Sequence, residues 1–187
     1  MRYTIPLLLL ITAACGQSRQ VDILKKEKEK DSIQRQVIAN KNNFIVLVKI
    51  SGEDSLRKVM DKKWPENIET IFNILLNQKG QIIYSAEFPT SESGDWNLAI
   101  KHYFNAQGKS IAFKKVFTYF SNCSPGTATS KLTQLYDINF NVLITTETLT
   151  DNNGKKLDKK ECSNEMDVGI ETIATISDLI KLKKIRL

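Results

Sequence analysis

Over residues 98–120, LAIKHYFNAQGKSIAFKKVFTYF, apolar and polar positions alternate with a period of two on either side of a short polar break. Before the break, Leu98, Ile100, His102 and Phe104 share one face, and Lys101, Tyr103 and Asn105 the other. After it, Ile111, Phe113, Phe117 and Tyr119 alternate with Ala112, Lys114 and Thr118. Alternation rich in aromatic and β-branched residues predicts two half-buried strands. The break itself, Asn105-Ala106-Gln107-Gly108, predicts the turn. The Asn side chain can bond its own backbone, and the Gly is free to take positive φ. A type I turn closed by a Gly bulge fits this spelling.

The spelling returns at Asn77-Gln78-Lys79-Gly80, ahead of Ile82 and Ile83, and at Asp151-Asn152-Asn153-Gly154, ahead of Leu157. Asp137-Ile138-Asn139-Phe140 repeats it without the Gly. The irregular spacing predicts a meander of hairpins and not a solenoid of fixed period. Similar turns occur in YD-type and MORN-type hairpin repeats, but neither full repeat signature is present here. Phe44–Ile50 is an almost continuous apolar run and predicts a central strand buried on both sides. After Ser51-Gly52, Asp54 or Ser55 can cap a short helix to about Lys63, with Leu56, Val59 and Met60 on one face and Trp64-Pro65 ending it.

Ile68–Leu76 fits a helix face or a strand. The turn that follows, and the alternation Ile82, Tyr84, Ala86, Phe88, decide for a strand. Lys131–Tyr136 and Val142–Leu149 make another hairpin. The end reads as a strand, Val168–Ile176, then a short helix capped by Ser177 and reaching Lys184, held to the sheet by Ile173, Leu179 and Ile180. The predicted fold is mainly β (α+β): an antiparallel meander of hairpins, with one short helix after the first strand and one at the C-terminus.

At 187 residues, 41% apolar and 26% charged, the chain suits one soluble domain. The net charge of +6 comes mainly from scattered Lys, with five Arg (Arg2, Arg19, Arg35, Arg57, Arg186). No dense basic stripe with stacking aromatics is present, so nucleic acid is not an expected partner. Residues 16–43 are polar, with a Lys/Glu run over Lys25–Asp31. Such composition predicts a solvated, partly helical tether, reaching about 40 Å if fully helical. Glu27 and Glu29, interleaved with Lys25, Lys26, Lys28 and Lys30, weigh against a lipid-headgroup site there.

The N-terminus has Met1-Arg2, an apolar run Ile5–Ile11, then Thr12-Ala13-Ala14 before Cys15. The run is far short of the ~20 residues that span a bilayer, which predicts a cleaved signal peptide. Small residues directly before a Cys at this distance resemble the lipobox of bacterial lipoproteins. The resemblance implies cleavage before Cys15 and a diacylglycerol on its thiol. Thr12 stands where that motif usually has Leu, with Ile11 one position earlier; an ordinary secretory signal containing a Cys is the alternative. Gly16 follows the Cys where the inner-membrane retention signal of enteric lipoproteins has Asp, which implies the outer membrane, facing the periplasm. Residues 1–14 are then signal peptide, 15–43 a lipid-anchored tether, and 44–187 a single β-rich domain. Tether, cysteine pair and Asn/Asp-x-x-Gly hairpins together resemble small envelope lipoproteins of Bacteroidetes, a likeness that implies no activity.

Cys123 and Cys162 remain. In an oxidising envelope an even pair reads as a disulfide. It would join positions 39 residues apart and stabilise the fold by about 3–4 kcal/mol on the chain-entropy model. Two thiols with no nearby His or Cys make a poor zinc site, and neither a metal nor another cofactor is expected. The sole histidine, His102, sits mid-strand on the apolar face, where packing is the simplest role. The chain contains no Gly-x-Ser-x-Gly, His-Glu-x-x-His or Gly-Lys-Ser/Thr motif. Asp151–Gly154 begins like a calcium loop, but its twelfth position is Cys162 and not Glu.

The polar loop Pro89–Asn97 holds the candidate binding residues, Trp96, Glu92 and Asp95. An aromatic there can anchor a partner; the two acids could form an acid/base pair, or simply be solvated. Three functions stand. The expected one is a non-catalytic, lipid-anchored envelope protein presenting its sheet to a protein or glycan. The others are an immunity or inhibitor lipoprotein that neutralises a toxin in the periplasm, and a carboxylate-dependent hydrolase.

Overall fold

The computed structural model describes residues 11–123, 125–160, 162 and 171–186. The polar breaks fold alike. Asn77, Asn105, Asp137 and Asp151 each accept, at Oδ1, from the backbone N–H groups two and four residues on, at 2.8–3.0 Å. The fourth residue takes left-handed backbone: Gly80, Gly108 and Gly154, and in one turn Phe140, with φ of 67°. That conformation strains a bulky residue; the Phe140 ring stacks on Tyr136 with centroids 4.4 Å apart. A register shift sits at the base of three of these hairpins, after Leu75, Tyr103 and Leu135, as a bulge requires.

These turns connect an eight-stranded antiparallel sheet that stays open. Its strands are β1 (Ile45–Ile50), β2 (Arg57–Lys58), β3 (Ile68–Leu76), β4 (Ile82–Pro89), β5 (Trp96–Phe104), β6 (Ser110–Phe120), β7 (Thr127–Tyr136) and β8 (Val142–Asp151). The order is β2-β1-β3-β4-β5-β6-β7-β8, so β3 lies beside β1 and from β3 onward each strand pairs with the next in sequence. The mainly β meander is as predicted, and β3 has the predicted limits. Leu47 and Val48 are both buried, so β1 is covered on two sides. It is not central, however: only the two-residue β2 lies beyond it.

The helix expected over residues 54–63 is absent. Arg57 and Lys58 instead pair with Val48 and Leu47, and the Val59 N–H donates to the Val46 carbonyl at 2.9 Å. The outer edge of β1 carries backbone groups that need partners, and this segment supplies them. Asp61 and Lys62, both at positive φ, would break a helix in any case.

Helix α1 (Ile11–Ala39) crosses one face of the sheet. Leu75, Tyr84, Tyr103, Ala112 and Leu135 form a row on that face by register, and Ile33 packs against them. Ile23 and Val37 pack beside it, Gln34 accepts from the Tyr103 hydroxyl at 2.7 Å, and Arg19 donates to the Leu143 carbonyl at 2.8 Å. The region read as a free tether is therefore docked from Arg19 onward. Ile23, Lys26, Lys30, Ile33 and Val37 fall at alternating spacings of three and four, one stripe of a helix. Two of the five are Lys, whose aliphatic stems can cover sheet while the ammonium stays wet. That substitution hid the stripe. Residues 1–10 of the expected signal peptide lie outside the described residues.

The other face is covered from the C-terminal end. Helix α2 (Ile176–Lys183) is capped by Thr175, in a capping box with Asp178, and not by Ser177. Leu179, Ile173 and Ile185 are buried against Leu47, Phe72, Ile74 and Phe104. Ile180, expected to face the sheet, is more exposed, and Ile185 takes that role. Thr175 makes one bridge to Lys109, and residues 171–174 form no strand; the remainder of the expected strand, 168–170, lies outside the described residues.

A buried helix contact predicts a measurable loss. Ile33, 6% exposed, replaced by Ala should lower unfolding free energy by about 2–4 kcal/mol in urea titrations. Ile38→Ala, at a residue 63% exposed on the same helix, should change it by less than about 0.5 kcal/mol. Equal effects would mean that α1 is not docked.

Candidate functional site

Cys123 and Cys162 are bonded, with Cα atoms 5.1 Å apart, as the pair in the sequence predicted. The bond ties the β6–β7 loop to the segment that leaves edge strand β8. It seats Cys162 in a cluster with Leu98, Phe117, Tyr119, Ala128 and Leu149, with Leu157 packed beside it. The Ser121 hydroxyl lies 2.7 Å from Cys123 Sγ. The backbone of Cys15 lies in α1.

The loop between β4 and β5 places its three candidates apart. Trp96 is half-buried at the start of β5, its ring 6.3 Å from Phe117, so much of it is core packing. Asp95 is exposed and accepts from the hydroxyls of Ser93 and Ser91. Those two hydrogen bonds, the one from Ser93 foremost, hold its carboxyl below the usual carboxylate range. Glu92 is exposed and lines a cavity of about 550 Å³ with Ser51, Asn67, Ile68, Glu69 and Thr90. Asp95 is not among these lining residues, so the loop does not bring its two acids to one pocket.

His102 is packed as expected, 4% exposed, between Phe104 and Phe113 with ring centroids 6.2 and 5.2 Å away. Its Nδ1 meets no hydrogen-bond partner among the described residues. Burial, and then the nearby Lys183 ammonium, push its pKa down to about 4. Lys183 itself bridges Glu87 and Glu171 at 3.0 and 3.7 Å. A neutral imidazole locked among aromatic rings is a structural residue here.

The least expected chemistry lies on the face that α1 crosses. Beyond the helix, the row next to Tyr84, Tyr103 and Ala112 runs Ala86, Lys101, Lys114, Thr133, Thr146. Lys101 and Lys114 are directly opposite one another, and Lys131 stands diagonal to Lys114 on β7. Like charges directly opposite across an antiparallel pair are unfavourable. Among the described residues none of the three makes an ion pair. Lys30 of α1 is engaged by Asp31 at 3.0 Å. Lys101 and Lys114 both have pKa values held below the usual range, first by burial. Lys114 adds to the effect at Lys101; Lys30 and Lys131 add to it at Lys114. A half-buried apolar row, Ile71, Phe88, Ala99 and Val116, runs alongside by register.

No family model, curated protein or solved structure matches this chain. Function therefore has to be argued from the residues. Among the described residues no cluster of His, Cys, Asp or Glu could hold a metal ion, and no helix is long and apolar enough to cross a membrane.

Two features escaped the sequence. The lysine row needs the β5–β6 register: once the Asn105–Gly108 turn and its bulge are placed, Lys101 and Lys114 must face each other. Trp64, which the sequence presents only as a helix terminator, is 52% exposed, and Met60, four residues earlier, is exposed too. Of the two tryptophans it is the more accessible.

His102 makes stability pH-dependent with a definite sign. Unfolded, its pKa is about 6.5; folded, about 4. Its contribution is fully present above pH 6.5 and is lost as pH falls toward 4, because the unfolded chain takes up a proton that the folded one refuses. Between pH 7.5 and 4.5 that loss is about 2–3 kcal/mol. Urea titrations at the two pH values should show a smaller drop for His102→Gln than for the natural chain. An equal drop would mean that His102 is not the group responsible.

Proposed function

We propose that the chain is a non-catalytic, lipid-anchored protein of the bacterial envelope, presenting the uncovered half of its sheet to a partner. The observation that carries this reading is the half-exposed part of the sheet face that α1 leaves beside it. A half-buried apolar row and three lysines that make no ion pair among the described residues lie side by side on the strands, the combination of contact area and polar selectivity that recognition surfaces use. The anchor is Cys15, and the protein resides at the outer membrane facing the periplasm. Docking of α1 begins at Arg19, four residues past Cys15, or about 6 Å of helix. The anchored sheet would therefore lie close to the lipid surface and not at the end of a long tether. The exposed, separated acids of the β4–β5 loop give no support to a hydrolase.

Two measurements test the reading. The intact mass of protein extracted from native membranes should show a chain beginning at Cys15 with added acyl mass, gaining two hydrogens on reduction. An unacylated chain would remove the anchor. A photo-crosslinking residue at position 116, on the bare half-face, should give a discrete adduct in intact envelopes, and one at position 155 should not. Absence of an adduct at 116 would defeat the binding reading.

A further inference from the structure

We propose that the step between α1 and the bare half-face binds an extended, acidic segment of a partner protein, with Lys101, Lys114 and Lys131 taking its carboxylates. This rests on the binding reading above and names the partner's chemistry.

The lysine positions make the first argument. Directly opposite residues have Cβ atoms about 4.5–5.5 Å apart, and diagonal ones about 7–8 Å. Lys101 and Lys114 are opposite, and Lys131 is diagonal to Lys114. Their Cβ atoms thus step across strands β5, β6 and β7 at about 5 Å and then 7–8 Å, spacings that bracket the roughly 6.5–7 Å between alternate side chains of an extended chain. A segment with Glu or Asp at alternate positions would meet them in turn.

The absence of internal compensation is the second. No carboxylate pairs with these lysines among the described residues, and the acid that acts on Lys114 electrostatically, Asp31, is already engaged by Lys30. On the opposite face, lysines from α2 and from the segment after β8 are paired with sheet carboxylates: Lys183 with Glu87 and Lys159 with Glu147. The held-down pKa values of Lys101 and Lys114 have the same origin, partly desolvated charges beside one another.

Shape is the third, and it separates a protein segment from a lipid surface. Lys101 and Lys114 lie one row beyond Tyr103 and Ala112, which α1 covers. A helix with its side chains is about 10 Å thick, so these lysines stand at the foot of a step. A flat bilayer would be held off by α1. A single extended chain fits against it.

The test uses the full chain and a fluorescent decapeptide of alternating Glu and Thr, with its Gln-for-Glu counterpart as reference, read by anisotropy at low salt. The Glu peptide should bind, the Gln peptide should not, and added salt should weaken the complex. Lys101→Gln with Lys114→Gln should weaken it roughly tenfold or more. Lys155→Gln with Lys156→Gln, an equal charge change on an exposed turn, should leave it unchanged. Melting temperatures of the Lys101/Lys114 variant should match or exceed the natural chain, since an unfavourable pair is removed.

No binding, or equal weakening by both double variants, would overturn the proposal. So would lysine-dependent binding confined to phosphatidylglycerol vesicles, which would make this a lipid-facing surface. If the position-116 adduct forms while the peptide fails, only the acidic chemistry is refuted. If the adduct also fails, the binding reading falls with it.

Discussion

The architecture depends on one small interaction repeated along the chain. An Asn or Asp side chain accepts two backbone N–H groups across a tight turn, at Asn77, Asn105, Asp137 and Asp151. Three of these turns set the register of a hairpin, and a one-residue slip would send every side chain to the opposite face. With the register fixed, Leu75, Tyr84, Tyr103, Ala112 and Leu135 line up as one row under α1, while Ile74, His102 and Phe113 line up on the other side. Phe140 shows how strongly this geometry is imposed. It occupies the position that Gly holds in the other three turns, at a φ of 67°, with its ring packed against Tyr136.

An open sheet has two faces to cover, and this one covers them by different means. On one side, α1 contributes few apolar residues, so cover comes from Ile33 with help from lysine stems and the hydrogen bond between Gln34 and Tyr103. On the other side, the C-terminal segment is fixed at both ends of its path. The Cys123–Cys162 bond holds it over β5–β8, and α2 with Ile173 and Ile185 closes the region over β1–β5. The first cover is partial, and it leaves the lysines of the next row half-exposed. The second encloses His102 so thoroughly that its imidazole stays neutral.

Of the candidate residues, the cysteine pair was legible because the inference needs only a count and a compartment. A polar loop with one aromatic looks accessible, which is what singles out Trp96, Glu92 and Asp95 in the sequence. The fold turned Trp96 partly inward against Phe117, and the Ser91 and Ser93 hydroxyls took up Asp95. Trp64 looked structural because it precedes Pro65, yet it is exposed on a loop whose backbone is set by positive φ at Asp61, Lys62 and Asn67. Local sequence reports which residues could reach solvent. It does not report which neighbours will be there.

The sequence by itself determined β1 and the strands from β3 to β8, the hairpin turns, the two-sided burial of β1 and the covalent partner of each bridged cysteine. All of these rest on side-chain periodicity, on hydrogen bonds that close within a few residues, or on the pair of cysteines left once Cys15 is read as the anchor. Tertiary structure alone decided that residues 19–39 lie on the sheet, that residues 57–58 pair with β1 instead of coiling, and that Thr175 caps α2. It alone set Lys101 against Lys114. These outcomes depend on groups brought together from distant parts of the chain: an unpaired strand edge, a bare apolar row, a cross-strand neighbour. A helix with two lysines in its inward stripe is read as solvated until the sheet that accepts their stems is in place.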